Sequence, residues 1–219
     1  MKIESLNNNF DIKSQIDTDK IIQAALDNCD VGEAEGFVAE FLWSNPEGFP
    51  EDILDEMSEE EVFETKECQE WVRNVFEDRL NELIDVYTYN VILYDGTLTI
   101  YRAMTFDEVK NWGFLGDYLD HLRVQGKHLG IYWSYDTDKA EAHWGDGGVE
   151  YLLQSRVNAR YVDWESTLTM NLHPTIGYEE AEVRLYKGTP LYIEAVWKNG
   201  VEVEVPKEIA RKKFLASDL

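Results

Sequence analysis

The chain has 219 residues and a formal charge of −24, from 44 acidic and 20 basic side chains. This balance argues against non-specific attraction to nucleic acid or an anionic membrane surface, and favours a partner with a basic surface. The two cysteines, Cys29 and Cys68, are far apart and lack nearby histidines, so neither a disulfide framework nor a zinc site is predicted. Without a recognisable signal peptide or membrane-spanning run, we expect a cytoplasmic protein in a reducing compartment.

The first 86 residues are predicted to form an acidic helical region. After a polar, extended lead-in, Asp17 or Thr18 caps a helix that runs to Asn28. Further helical patterns run between residues 32 and 57, and the longest opens at a capping box that begins at Ser58. The acidic face of this last helix is either a solvated surface or a docking site for a basic partner. The acids at its start are Glu59, Glu60 and Glu61.

At about residue 87 the hydrophobic period changes from helical to alternating, which predicts a β-rich domain over residues 87–219. A hairpin turns at Asp95-Gly96 and another at Asn199-Gly200. The predicted strands are residues 91–96, 97–102, 129–134, 149–157, 161–169, 180–185, 191–193 and 201–205. The predicted helices are residues 107–115, 118–125, 138–144 and a basic tail over 206–219. With no flexible linker between the two regions, the chain is predicted to be α+β, its helical part packed on the β part.

Three acidic residues in four positions open the strand that precedes Leu185. Because strand side chains alternate between faces, Glu180 and Glu182 are predicted to share one face and Glu179 the other. Two carboxylates at the rim of a sheet suit a catalytic cleft. The structural alternative is an outer strand protected by its charge.

Two other polar residues end predicted strands. Arg102 ends the strand face that carries Leu98 and Ile100, where a guanidinium needs an anionic partner. Ser134 ends an apolar strand just before a helix capped by Asp136 or Thr137. Each also has a structural interpretation, since an arginine in an acidic chain forms salt bridges and a serine commonly begins a turn.

Taken together, these residues resemble the mono-ADP-ribosyltransferase superfamily, in its Arg-Ser-Glu class. The resemblance covers residues 97–193 and rests on three short motifs. They are Ile100-Tyr-Arg102, Gly130-Ile-Tyr-Trp-Ser134, and Glu179-Glu-Ala-Glu-Val-Arg-Leu185 followed by Gly188-Thr-Pro190. The family's Ser-Thr-Ser is replaced here by Trp133-Ser134-Tyr135, so one hydroxyl stands where the family has three.

The resemblance implies a mixed two-sheet core. It also implies an enzyme that uses NAD as co-substrate, works without a metal and releases nicotinamide. It assigns Glu182 to the carboxylate that stabilises the oxocarbenium-like transition state, as in glycoside hydrolysis. Arg102 would bind the pyrophosphate or ribose hydroxyls, and Ser134 would position Glu182. Glu180 would orient or deprotonate the acceptor. The aromatic residues assigned to the NAD site are Tyr101, Trp133 and Tyr135.

A glutamate at position 180 implies, by the same resemblance, an arginine of a target protein as the acceptor. The loop over residues 163–178, with Trp164 and Tyr178, is expected to contact that acceptor. Two alternatives stay open. One is an NAD glycohydrolase that passes ADP-ribose to water, and the other is a non-enzymatic acidic protein that blocks a basic nucleic-acid-binding partner.

Overall fold

A computed structural model of the protein describes residues 10–28, 66–104, 118–124, 127–142, 151–172 and 181–217. Over these residues the protein is α+β, with a six-stranded antiparallel sheet and a smaller, three-stranded mixed sheet. Several predictions concern residues outside the described ranges. These are the helices over 32–57 and 107–115, the capping box at Ser58 with Glu59, Glu60 and Glu61, and the positions of Tyr178, Glu179 and Glu180.

The first described helix, α1 (Thr18–Asn28), begins where the sequence predicts. The carboxylate of Asp17 accepts the Lys20 amide hydrogen at 3.2 Å, which makes Asp17 the N-terminal cap. The lead-in, predicted to be extended, instead contains a 3-10 turn at Ile12–Gln15. Burial of Ile12 against the core explains this turn, because it fixes a segment whose other side chains are polar.

The second helix, α2 (Lys66–Val86), is followed directly by a π-helical turn at Tyr87–Val91. The helical arrangement therefore continues past residue 87. The prediction that residues 91–96 form the first strand of a hairpin is wrong. Complete burial of Tyr87 holds this extension of the helix in place. The turn itself is confirmed, since Gly96 has a φ of 74° and the Asp95 carboxylate accepts a hydrogen bond from the Thr97 amide.

The large sheet has a simple spatial order. Its strands run β5 (Glu182–Arg184), β3 (Tyr132–Ser134), β1 (Thr97–Met104), β4 (Tyr151–Asn158), β7 (Ile193–Lys198) and β8 (Val201–Val203). The predicted Asn-Gly hairpin joins β7 to β8, and Asn199 and Gly200 have φ values of 50° and 74°. Positive φ at both central positions is what a type I′ hairpin turn requires.

The small sheet consists of β2 (His128–Leu129), β9 (Phe214–Ala216) and β6 (Pro190–Leu191). The predicted strand over 129–134 is therefore divided, with its first residues in the small sheet and its last in the large one. The tail predicted to be helical over 206–219 forms only the short helix α6 (Lys207–Ala210) before β9. Because Phe214 and Ala216 are fully buried, the tail gains more from pairing in this sheet than from continuing its helix.

The described part of the chain contains three more helices: α3 (Tyr118–Val124), α4 (Thr137–Ala142) and α5 (Trp164–Leu172). The first two agree with the predictions, whereas α5 replaces the strand predicted over 161–169. Asp163 explains the difference, because its carboxylate accepts the Ser166 amide hydrogen and begins the helix. Its buried residues recur at helical spacing and are Trp164, Thr167, Leu168, Asn171 and Leu172.

One continuous apolar core connects the helical region with both sheets. It contains Ile21 and Phe76 from the helices, Leu98 and Val183 from the large sheet, and Phe214 from the small one. A second, smaller cluster lies on the other face of the large sheet, where α4 covers part of β1 and β4. The described helices of the N-terminal region, α1 and α2, therefore pack directly on the sheets instead of being tethered to them.

Candidate functional site

Three neighbouring strands of the large sheet carry the residues of the predicted site. The strand register pairs Tyr101 of β1 with Ser134 of β3, and Ser134 with Glu182 of β5. Because adjacent strands lie about 4.8 Å apart, these residues form a single row across the sheet. The structure thus brings Ser134 and Glu182 side by side from distant parts of the sequence.

Arg102 follows Tyr101 on β1 and lies one position beyond this row. Since successive strand residues face opposite ways, the register directs Arg102 to the face opposite Ser134 and Glu182. Ile100, on the same face as Arg102, is fully buried in the main core. Arg102 is therefore close to Glu182 within the sheet, but its side chain leaves from the other face.

The guanidinium of Arg102 packs against the chain that joins the two sheets. Its Nη1 donates a hydrogen bond of 2.6 Å to the carbonyl oxygen of Tyr132 at the start of β3. Gly130, which links β2 to β3, lies directly against the guanidinium, and a β-carbon at this position would overlap with it. The absence of a side chain at Gly130 is what makes room for Arg102.

Ser134 is 5% exposed, and its hydroxyl takes part in structural hydrogen bonds. Its hydroxyl donates to the carbonyl oxygen of Ala181 at 3.2 Å and accepts the Asp136 amide hydrogen at 3.1 Å. Asp136 in turn caps α4 by accepting the Lys139 amide hydrogen at 3.0 Å. Ser134 thus begins a turn, as its structural interpretation predicts, and also holds the residue that precedes Glu182.

The backbone changes conformation immediately before Glu182. Ala181 has a φ of 47°, in the left-handed region that side-chain-bearing residues rarely adopt, and β5 begins at Glu182. The prediction that regular strand alternation extends back from Glu182 to Glu180 is therefore wrong at Ala181. The bonds that the Ala181 carbonyl accepts from Ser134 and from the Tyr135 amide stabilise this conformation.

Two residues that the sequence did not single out hold the peptide groups of Glu182. The Asn171 side chain accepts the Glu182 amide hydrogen at 3.0 Å and donates to the Glu182 carbonyl at 2.8 Å. The Tyr87 hydroxyl donates to the same carbonyl oxygen, also at 2.8 Å. Neither contact has a signal in the sequence, because Asn171 lies in a segment predicted to be a loop and Tyr87 at the predicted start of the β region.

Neighbouring aromatic side chains differ in their accessibility. Trp133 is 3% exposed and its indole donates to the Gly130 carbonyl, so its ring is part of the core and unavailable for stacking on a nicotinamide. Tyr135 and Tyr101 are half-buried. Burial is the main cause that raises the pKa of Tyr87 well above its usual value, with smaller effects from Tyr135 and Glu182.

A cavity of about 290 Å³ lies between α1, α5 and the outer strands of the large sheet. It is lined by Lys20, Ile21, Ala24, Tyr132, Glu165, Ser166, Thr169, Met170 and Arg184. Tyr132 of β3 is paired with Arg184 of β5. This pair lies two residues along the strands from the pair of Ser134 and Glu182. The cavity therefore lies at the end of the β3–β5 pair that is away from Ser134 and Glu182, and neither of these residues lines it.

The charges around this cavity are balanced in pairs. Lys20 and Glu165 form an ion pair between α1 and α5, and Glu165 raises the pKa of Lys20. Arg184 lies 3.6 Å from the Asp163 carboxylate, and its guanidinium is 5.8 Å from the centre of the Tyr132 ring. The acceptor loop predicted over 163–178 is thus helical up to Leu172, with its first acids already paired.

No protein-family model, curated protein or solved structure matches the chain. Among the residues that the structure describes, no three or more His, Cys, Asp or Glu side chains are arranged to hold a metal ion. Over the same residues, no helix combines the length and apolar character needed to cross a membrane.

Proposed function

We propose that the protein transfers ADP-ribose from NAD to an acceptor, on an ADP-ribosyltransferase-like core. The observation that carries this proposal is the pairing of Ser134 with Glu182 on neighbouring strands. These are two of the three residues that define the Arg-Ser-Glu pattern, and a serine beside the glutamate is the arrangement that the pattern requires.

In the proposed reaction the bond between the nicotinamide nitrogen and the ribose carbon breaks. Nicotinamide leaves with the bonding electron pair, and the ribose acquires oxocarbenium character that the Glu182 carboxylate stabilises. The acceptor then forms a bond to the same carbon and loses a proton to a base, a role the proposal gives to Glu180. With a glutamate at this position, the proposed acceptor is an arginine side chain of a target protein.

Arg102 has support of a different kind. Its guanidinium lies where the chain passes from the small sheet to the large one, at Gly130, and its role in binding the NAD pyrophosphate or ribose hydroxyls rests on the resemblance alone. On the face of Glu182, however, the neighbouring guanidinium belongs to Arg184. The geometry supports the Ser134–Glu182 half of the pattern more strongly than the Arg102 half.

The burial of the aromatic residues also changes which ring is proposed to stack on the nicotinamide. Because Trp133 is buried, stacking on the nicotinamide falls to Tyr135 or Tyr101, which are half-buried. Tyr101 lies in the same row as Ser134 and Glu182, which places it on their face of the sheet. Of the two, Tyr101 is therefore the better placed ring.

The test is incubation of the purified protein with NAD labelled in the adenylate part and with a cell lysate. We expect label on a protein, release of nicotinamide, and a loss of at least about 100-fold in both for Glu182→Gln, which removes the stabilising charge. Glu194→Gln is the matched control, because Glu194 is an exposed glutamate of the same sheet. Its activity should equal that of the wild type.

Three results bear on the proposal differently. Label that appears only in free ADP-ribose identifies a glycohydrolase. No nicotinamide release, with or without lysate, rejects NAD chemistry altogether. Equal activity in Glu182→Gln and Glu194→Gln, with both variants folded by circular dichroism, removes Glu182 from the reaction.

A further inference from the structure

We propose that Tyr87, which follows α2, and Asn171, on α5, are positioning residues for the Glu182 carboxylate, which they hold through the Glu182 peptide groups. This inference rests on the proposed function, because it gives Glu182 a catalytic role. It adds two residues that the motifs do not contain.

Asn171 takes the place of a neighbouring strand for Glu182. A side-chain amide has the same donor and acceptor as a peptide group, and Asn171 uses both on Glu182, at 2.8 and 3.0 Å. Its Nδ2 also donates to the Thr167 carbonyl at 2.7 Å, which anchors the amide to α5. Rotation of the Glu182 backbone would break both of its bonds to Asn171 at once.

Tyr87 fixes the same carbonyl from a different helix. Its ring is fully buried and lies edge-on to Tyr135 and Trp164, with ring centres 5.2 and 5.3 Å away. With the ring held in this way, its hydroxyl donates a hydrogen bond of 2.8 Å to the Glu182 carbonyl. Tyr87 begins the π-helical turn after α2, and such turns occur frequently at functional sites.

The position of Glu182 in its strand explains why these bonds matter. Glu182 is the first residue of β5 and follows the left-handed Ala181, so regular strand structure holds it only from one side. The bonds from Tyr87 and Asn171 supply the constraint that a preceding strand residue would give. Displacement of a catalytic group by about 1 Å can lower the rate about 100-fold.

Thr167 is the matched control for Asn171. One turn earlier on α5, its hydroxyl accepts the Arg184 amide hydrogen at 3.0 Å and contacts the Arg184 carbonyl at 3.5 Å. Thr167 and Asn171 are both buried and both bind the same outer strand. Only Asn171 contacts the residue proposed to act on NAD.

The experiment compares Tyr87→Phe, Asn171→Leu and Thr167→Val with the wild type, by nicotinamide release under conditions where each is fully folded. We expect the first two to lower kcat by about 10- to 100-fold with KM for NAD within about twofold, since positioning acts on the transition state. Thr167→Val should keep kcat within about twofold. Urea denaturation of all three variants measures their losses of stability for comparison.

The outcomes separate this inference from the function on which it depends. If Thr167→Val loses as much kcat as Asn171→Leu, the bonds support the strand in general and positioning of Glu182 is refuted. Wild-type kcat in both Tyr87→Phe and Asn171→Leu refutes it as well. If the wild type itself releases no nicotinamide, the proposed function has failed and this inference falls with it.

Discussion

The contact between Gly130 and Arg102 gives a prediction that needs no knowledge of function. In Gly130→Ala the new β-carbon would lie 2.7 Å from Arg102 Nη2 and closer still to Cζ and Nη1. Such separations are too short for non-bonded atoms, so the guanidinium must move. Because it is the end of a flexible side chain, we expect it to rotate away and the fold to survive.

The cost follows from the bond that the rotation breaks. Arg102 Nη1 donates to the Tyr132 carbonyl at 2.6 Å, and a hydrogen bond from a charged group contributes about 1.5–3 kcal/mol. Replacing glycine by alanine at a compatible backbone recovers about 0.4–1 kcal/mol by restricting the unfolded chain. We therefore expect Gly130→Ala to lower the free energy of unfolding by about 1–2 kcal/mol.

A double-mutant cycle tests this cause directly. In an Arg102→Leu background the guanidinium is absent, so Gly130→Ala should be neutral or stabilise by up to about 1 kcal/mol. Urea denaturation of the four proteins gives the four free energies, provided that their m values agree. A coupling of at least about 1 kcal/mol is expected, whereas an equal cost of Gly130→Ala in both backgrounds would refute the reasoning.

Three further predictions concern Tyr87, Ala181 and Ser134. Burial raises the pKa of Tyr87, so folded chains keep a proton that unfolded chains lose above about pH 10, and stability falls as pH rises further. Tyr87→Phe should make this fall less steep by up to about 1.4 kcal/mol per pH unit in urea denaturation above pH 10; an unchanged slope contradicts it. Ala181→Gly should change the free energy of unfolding by less than about 0.5 kcal/mol, because relief of the left-handed strain offsets both the backbone entropy of glycine and the lost burial of one methyl group; a loss of more than about 1.5 kcal/mol would show that the strain is not there. Ser134→Ala should cost about 1–3 kcal/mol in the same denaturation assay, since the Asp136 amide and the Ala181 carbonyl lose a partner; Ser134→Thr, which keeps the hydroxyl, should cost less.

Elements with a local signal were predictable from the sequence. Helix α1 has a capping aspartate and apolar residues at helical spacing, and the β7–β8 hairpin has an Asn-Gly turn. The strand that carries Arg102 also has a local signal, because Leu98 and Ile100 alternate with Thr97, Thr99 and Tyr101. In each case the information lies within a few neighbouring residues.

Segments decided by distant contacts were not predictable in the same way. Residues 161–169 include Tyr161, Val162, Trp164 and two threonines, which are residue types that favour strands. Helix α5 forms instead because Asp163 caps it and because Asn171 and Thr167 bind β5. The C-terminal tail has helical spacing, but burial of Phe214 in the small sheet prevails. A partner elsewhere in the chain leaves no pattern in the segment itself.

The candidate site likewise contains residues that a local motif predicts and features that depend on distant contacts. Ser134 and Glu182 could be named from their motifs, and the register places them side by side. The face to which Arg102 points depends on the pairing of β1 with β3, which strand patterns alone do not fix. The burial of Trp133 likewise depends on how the two sheets meet around Gly130.

The attachment of α5 to β5 also determines how the large sheet can meet other chains. Two side-chain groups on α5 occupy hydrogen-bonding positions on the outer side of β5, so an added strand would first have to displace the helix. Of the described strands, β8 forms the opposite margin, and Val201 there is 66% exposed. Any β-augmentation of this sheet by an extended peptide, or self-association through its margin, should therefore occur at β8.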